Sequence, residues 1–401
     1  MQTLFRTTAF LLTILLTSAF LPDRLLKSLF DQAEQQTRLM LRELTPLTQQ
    51  APAGKPALVS PRTLTADGSL QAVPARDWTS GFFPGELWYL YEYTGKTEWA
   101  DQARQFTTRL ESEKTNAGTH DMGFKLYCSY GNGYRLTRDP AYRTILIEAA
   151  RTLSKRFKPK AGIIRSWDHH KEQWQCPVII DNMMNLELLF AATRLTGDSS
   201  FYNIAVSHAR MTMKNHYRPD NSSYHVVDYD TLTGNVLKKN THQGFNDKSA
   251  WARGQAWGLY GFTLCYRETK DPLFLKQAQA IARFMLDHPR MPADLIPYYD
   301  FDAPGIPNEP RDVSAAAIMA SALYELSTYV PGSAYRAKAD QVITNLAKSY
   351  ASPLGQHHGF LLLHSTGAKT FERDVPLIYA DYYYLEALLR AKKLGEKKPL
   401  F

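Results

Sequence analysis

Cysteine is scarce, with three among 401 residues. Cys128, Cys176 and Cys265 are far apart, odd in number and outside any C-x-x-C spacing. That excludes a disulfide framework and a zinc knuckle. Several signatures are also missing: H-E-x-x-H, the Walker loop, G-x-S-x-G, and a G-x-G-x-x-G that follows a strand. Zincin, phosphate-loop, α/β-hydrolase and dinucleotide chemistry lose their usual sequence support. The apolar run Ala9–Leu16 is short for a membrane span. Charge is not concentrated either. The formal net charge is +8, but Lys and Arg are scattered, with only a small cluster at Lys392-Lys393 and Lys397-Lys398. Nucleic acid would need a denser basic stripe, so it is not an expected partner; a mild bias toward anionic ligands remains.

What is present indicates a globular chain. Hydrophobic residues make up 44% and aromatics 12%, including 23 Tyr, 19 Phe and 7 Trp. The start, residues 1–21, reads as a secretory signal. Arg6 supplies the basic end, Ala9–Leu16 the apolar stretch, and Ser18 and Ala19 lie near a plausible cleavage point. The expected location is periplasmic, with no membrane attachment after signal removal. Residues 22–401 show no linker that would divide them, so one domain is expected.

Short turns followed by an aromatic recur at Thr94-Gly95, Thr137-Arg138-Asp139-Pro140, Thr196-Gly197-Asp198, Thr269-Lys270-Asp271-Pro272 and Pro331-Gly332. Each joins two helical patterns. Amphipathic segments are expected near 24–43, 98–113, 140–157, 200–216, 272–288 and 334–350, with apolar residues three and four apart. Segments near 81–93, 122–136, 182–195, 251–268, 313–329 and 375–393 are apolar or small-residue-rich all round, as buried helices are. Connections from the amphipathic set to the buried set are long, and long loops gather on one face. Six outer and six inner helices predict an all-α (α/α)6 toroid. A small β-hairpin is expected in one mouth loop, with strands at 224–228 and 235–239.

At the mouth, the inner-helix starts present Trp78, His120-Asp121, Asp181, Arg253, Asp312 and Asp374. Aspartate is a preferred helix cap, worth about 1 kcal/mol. Asp312 and Asp374 are read as caps. Asp121 and Asp181 lie in apolar settings, where burial and a neighbouring like charge raise a carboxyl pKa while a helix start lowers it. Acid–base work needs the first two influences to win. Trp78, Trp167, Trp251 and Trp257 are candidates for either core or sugar platforms. Arg253, in an apolar helix start, needs a buried partner or an anionic ligand. His208, His216 and His288 lie on outer helices and are left without a role.

These residues resemble a known family, the unsaturated glucuronyl hydrolases of glycoside hydrolase family 88. The stretches that carry the likeness are W-T-S-G-F-F-P-G-E-L-W (78–88), H-D-M-G-F (120–124), I-I-D-N-M-M-N-L-E-L-L (179–189), H-Q-G-F-N-D-K-S-A-W-A-R-G-Q-A-W-G (242–258) and D-V-S-A-A-A-I (312–318). The resemblance implies removal of a Δ4,5-unsaturated uronate from the non-reducing end of oligosaccharides made by polysaccharide lyases, with no metal or other cofactor. It implies that Asp181 is the general acid/base and Asp121 a second essential carboxylate. Trp78, His120, His225, Gln243, Arg253 and Trp257 match substrate-contacting positions. Ser365–Lys369 falls where members differ in handling sulfated sugars and does not clearly match a sulfate-preferring pattern. A neighbouring family that releases unsaturated galacturonate, and a catalytically silent oligosaccharide-binding toroid, are the alternative readings. A monomer or weak homo-oligomer is expected.

Overall fold

The structure, a computed structural model, describes residues 21–49 and 54–401. The expected secretory segment lies outside the described residues except for Leu21 at its end. Six outer helices, α1 (Asp23–Gln49), α3 (Thr97–Thr108), α5 (Pro140–Ser154), α7 (Ser199–Asn215), α9 (Pro272–Asp287) and α11 (Tyr335–Ser349), show alternating buried and exposed faces. The inner helices α2 (Phe82–Thr94), α6 (Asn182–Thr196), α8 (Ala252–Thr269), α10 (Val313–Tyr329) and α12 (Ile378–Gly395) are buried over most of their length. The remaining inner member starts as a π-helix, Gly123–Gly131, and continues as the short α4, Asn132–Thr137.

The inner members pack in chain order, and α12 returns onto α2 to close the ring. Each of the first five inner members packs on the outer helix that follows it, whereas α12 takes α1 as its partner. The sixth hairpin is thus made from the two ends of the chain. The expected toroid is observed. The joining turns use left-handed residues: Gly95 and Gly197 end α2 and α6, with φ of 68° and 76°. Glycine adopts this conformation without a Cβ penalty.

The hairpin is found slightly displaced, as β6 (Val226–Tyr229) and β7 (Val236–Asn240), and it gains a third strand, β5 (Pro177–Ile179). Two small sheets were not expected: β1 (Leu58–Leu64) with β2 (Leu70–Pro74), and β3 (Phe157–Lys158) with β4 (Ile163–Ile164). Asp67-Gly68 at the tip of the first is an ordinary hairpin signal, hidden inside what reads as a long connection. The second outer helix ends at Thr108 and continues only as a 3-10 turn, Glu111–Thr115. Among the described residues no helix is long and apolar enough to cross a membrane.

Candidate active site

Two close backbone approaches set the mouth. A Cβ on Gly81 would lie 2.2 Å from the carbonyl oxygens of Phe124 and Lys125. One on Gly123 would lie 2.6 Å from Asn185 Cα. Glycine at both positions lets the starts of α2, the π-helix and α6 converge. The Asn185 side chain fixes the second approach by accepting the Phe124 N–H at 3.1 Å. The turn bearing Asp121 is thereby held against the helix that begins after Asp181.

Between these starts lies a cavity of about 690 Å3. Trp78, His120, Asp121, Asp181 and Gln243 line it, so five of the eight residues picked out in the sequence meet there. His225, Arg253 and Trp257 do not line it. They stand behind its wall, buried at 3%, 1% and 0% exposure.

The cap geometry separates the aspartates. Asp312 accepts the N–H groups of Ser314 and Ala315 and caps α10. Asp374 is not a cap. It has φ 57°, is paired with His364 Nδ1 at 2.7 Å, and α12 starts only at Ile378. Pro376 explains the correction, because the residue before a proline is driven out of the helical region. Asp181 precedes α6 but its carboxylate makes no capping bond, and Oδ2 is buried without a hydrogen-bond partner. Burial is the main influence on it. Arg253 behind the wall pulls the other way, and the charge of Asp121 adds to the upward push. The net result is a carboxyl pushed up to about 7.

His225 faces this acid. The backbone N–H groups of His242 and Gln243 donate to its Nδ1 at 3.0 and 3.1 Å. That nitrogen therefore carries no proton, and the neutral ring holds its hydrogen on Nε2, 3.6 Å from Asp181 Oδ2. Burial, with the neighbouring His242 and Arg253, holds the imidazole well below its ordinary pKa and so uncharged. The Trp257 N–H also favours the ionised form of Asp181, although it makes no hydrogen bond of normal geometry. Asp121 accepts from the Thr119 hydroxyl at 2.6 Å and lies 3.2 Å from His120 Nε2. Burial lowers the pKa of His120 as well.

Both terminal nitrogens of Arg253 are engaged, whereas its Nε is buried without a partner. The terminal nitrogens donate to Asp312 at 2.9 Å and to the carbonyls of Thr366 (2.6 Å) and Gly367. The buried partner anticipated from its apolar surroundings is Asp312. Gln243 is tied to the same segment, donating to the Gly367 carbonyl at 2.9 Å and accepting from the Lys369 N–H at 3.0 Å. Of the tryptophans, Trp78 and Trp167 line the cavity, whereas Trp251 and Trp257 are core. Trp78 leans on Tyr379, ring centres 4.9 Å apart, and Trp167 stacks on His169 at 5.3 Å. His208 and His216 are structural, bonded to the Ile164 N–H and the Val178 carbonyl.

Sequence reasoning missed several lining residues: Arg62, Arg76, Asp77, His242, Phe371, Glu372 and Tyr379. Tyr379 lies within an inner-helix pattern, where an aromatic is ordinarily core. Arg62 sits on the unexpected first hairpin. It donates to Asp77 at 2.8 Å and to Glu372 at 2.6 and 3.2 Å, a bridge that only the folded chain brings together.

An all-α toroid with a partly dry, carboxylate-bearing cavity at its mouth is the arrangement of a glycoside hydrolase. The family model for Glycosyl Hydrolase Family 88 matches residues 60–395, and the chain belongs to that family. It is 49% identical over 341 residues to an unsaturated glucuronyl hydrolase of Formosa agariphila, covering 83% of this chain and 85% of the relative. It is 33% identical to an unsaturated chondroitin disaccharide hydrolase of Streptococcus pneumoniae, covering 83% and 86%. Among solved structures, an unsaturated glucuronyl hydrolase specific for heparin superposes with a TM-score of 0.86 at 47% identity, covering 94% of this chain and 99% of that one.

Proposed function

We propose that this hydrolase releases a Δ4,5-unsaturated uronic acid from the non-reducing end of lyase-generated, glycosaminoglycan-type oligosaccharides. The observation that carries the reading is the buried, uncapped Asp181 carboxyl with its pKa near 7. The uronate ring is a vinyl ether. In the proposed reaction, the Asp181 proton goes to C4 and the C4=C5 electron pair forms the new C–H bond. Positive charge is left shared between C5 and the ring oxygen. The resulting carboxylate then takes a proton from water as that water adds to C5. The product is a hemiketal, which opens to a C5 ketone and, as C1 becomes an aldehyde, expels the remaining sugar as an alcohol.

A group near pKa 7 suits both halves, since it is substantially protonated at neutral pH and basic once the proton has left. The His225 Nε2–H, held toward Oδ2, assists the first half by favouring the carboxylate that forms. Asp121, with His120, is assigned to sugar hydroxyls and to keeping the Asp181 pKa raised through its charge. Trp78 is assigned to the sugar face, and Gln243 to a polar contact. Arg253 and Trp257 act from behind the wall. The reaction passes through hydration, so the carboxylate-spacing rule of ordinary glycosidases does not apply.

The reading extends to a periplasmic, secreted enzyme whose residues 22–401 form one catalytic domain, supported by Arg6 and the apolar run Ala9–Leu16. A monomer or weak homo-oligomer suffices, because one chain supplies every assigned group. The test is loss of ultraviolet absorbance from the unsaturated ring on a panel of chondroitin, hyaluronan, heparin and pectin lyase products. Loss on glycosaminoglycan products is expected. Loss confined to pectin products would replace the substrate class, and tight binding without loss would replace catalysis.

A further inference from the structure

The cavity has one wall whose charge is not used by the proposed chemistry. Arg62 bridges Asp77 and Glu372, so the chain neighbours of those carboxylates, Arg76 and Phe371, are brought to the same side of the opening. Both are exposed and both line the cavity; Phe371 is a large apolar ring at 44% exposure.

The cations here differ in what their donors already do. Arg62 is spent on two carboxylates. Arg253 is spent on Asp312 and two carbonyls and does not reach the cavity. Lys369 gives its ammonium to the Phe245 carbonyl at 3.2 Å and lies over that ring. His169 and His242 are held below the ordinary imidazole pKa, chiefly by burial. Among the described residues, Arg76 is the cavity-lining guanidinium that makes no hydrogen bond or ion pair.

We propose that Arg76 recognises a sulfate ester on the sugar that leaves, with Phe371 against the apolar face of that sugar. This rests on the activity proposed above. The uronate's own carboxylate sits on C5, next to the carbon that must meet Asp181, and Asp181 is only 7% exposed. That carboxylate therefore lies deep, whereas Arg76 is at the rim, where the next sugar emerges. A guanidinium with a free fork of donors matches a sulfate's oxygens. The Arg62 bridge, one cation between two carboxylates, is net negative. Once Arg76 is removed, that rim repels an oxyanion and is indifferent to a neutral sugar.

The experiment measures loss of ring absorbance for two unsaturated disaccharides that differ only in a sulfate on the leaving sugar. Wild type, Arg76→Gln and Arg76→Lys are compared. Arg76→Gln is expected to raise KM about tenfold on the sulfated substrate with kcat little changed, a size suited to one partly exposed charge-assisted contact. The unsulfated substrate should stay within about twofold, Arg76→Lys should recover part of the loss, and added salt should shrink the difference. An unchanged ratio of the two KM values in Arg76→Gln overturns the proposal, as does a wild type that turns over only the unsulfated disaccharide. A wild type that consumes neither disaccharide removes the underlying activity and this subsite with it. That outcome is told apart from the others by the unsulfated wild-type reaction alone.

Discussion

Replacing Asp181 by Asn should stabilise the protein at the pH where it destroys the activity. The carboxyl is raised from 3.8 to about 7, mainly by burial. A raised carboxyl pKa means that the folded protein keeps a proton which the unfolded chain releases. Between roughly pH 4 and 7 the native state binds more protons, so this group's contribution to stability falls as pH rises through that window. About three units at 1.36 kcal/mol each amount to about 4 kcal/mol of lost stability above pH 7, relative to low pH. Asn carries no such proton and loses nothing.

The assay is denaturant unfolding of wild type and Asp181→Asn at several pH values from 4 to 8. Taking the difference removes the titration of groups common to both. The variant should gain on the wild type steadily up to pH 7 and then hold a constant advantage. Its turnover should fall by about a hundred- to ten-thousandfold while substrate still binds. Parallel unfolding free energies across the window would refute the burial argument, and near-wild-type turnover would refute the assignment of Asp181 as the acid.

The same group sets the pH profile. Turnover should decline as pH rises through about 7 and the acid ionises, and a rate that keeps rising beyond pH 8 would contradict this. Arg253→Met leaves Asp312 buried and uncompensated, so a loss of about 3–5 kcal/mol is expected in unfolding experiments. It also removes a cation that favours the Asp181 carboxylate, so any surviving activity should hold to higher pH than in wild type. Gly123→Ala forces a Cβ toward Asn185 and should displace the Asp121 turn, lowering kcat in a protein that is still folded at the assay temperature. Equal wild-type kcat in that variant would show that the close approach does not position the carboxylates.

Helix periodicity was readable because burial on one face leaves a three-to-four spacing, and burial all round leaves a nearly continuous apolar segment. Hence α7, α9 and α10 fall within a residue or two of where the spacing puts them. The first hairpin was not readable, since it lies inside what reads as a long connection and its role depends on Arg62 meeting Glu372 across 310 positions of chain. Four aspartates at helix starts look alike in sequence. Asp312 becomes a cap and ion-pair partner, Asp374 a surface residue, Asp121 a neighbour of His120, and Asp181 an uncapped acid.

The order of the hairpins, the face on which the long loops gather and the residue types available there follow from local periodicity and turn chemistry, which short stretches of chain carry within themselves. Which carboxyl holds a proton at neutral pH, and which arginine is spent and which is free, was decided only by tertiary structure. Desolvation and ion pairing are set by atoms that the fold brings together from distant positions, and no local stretch records them.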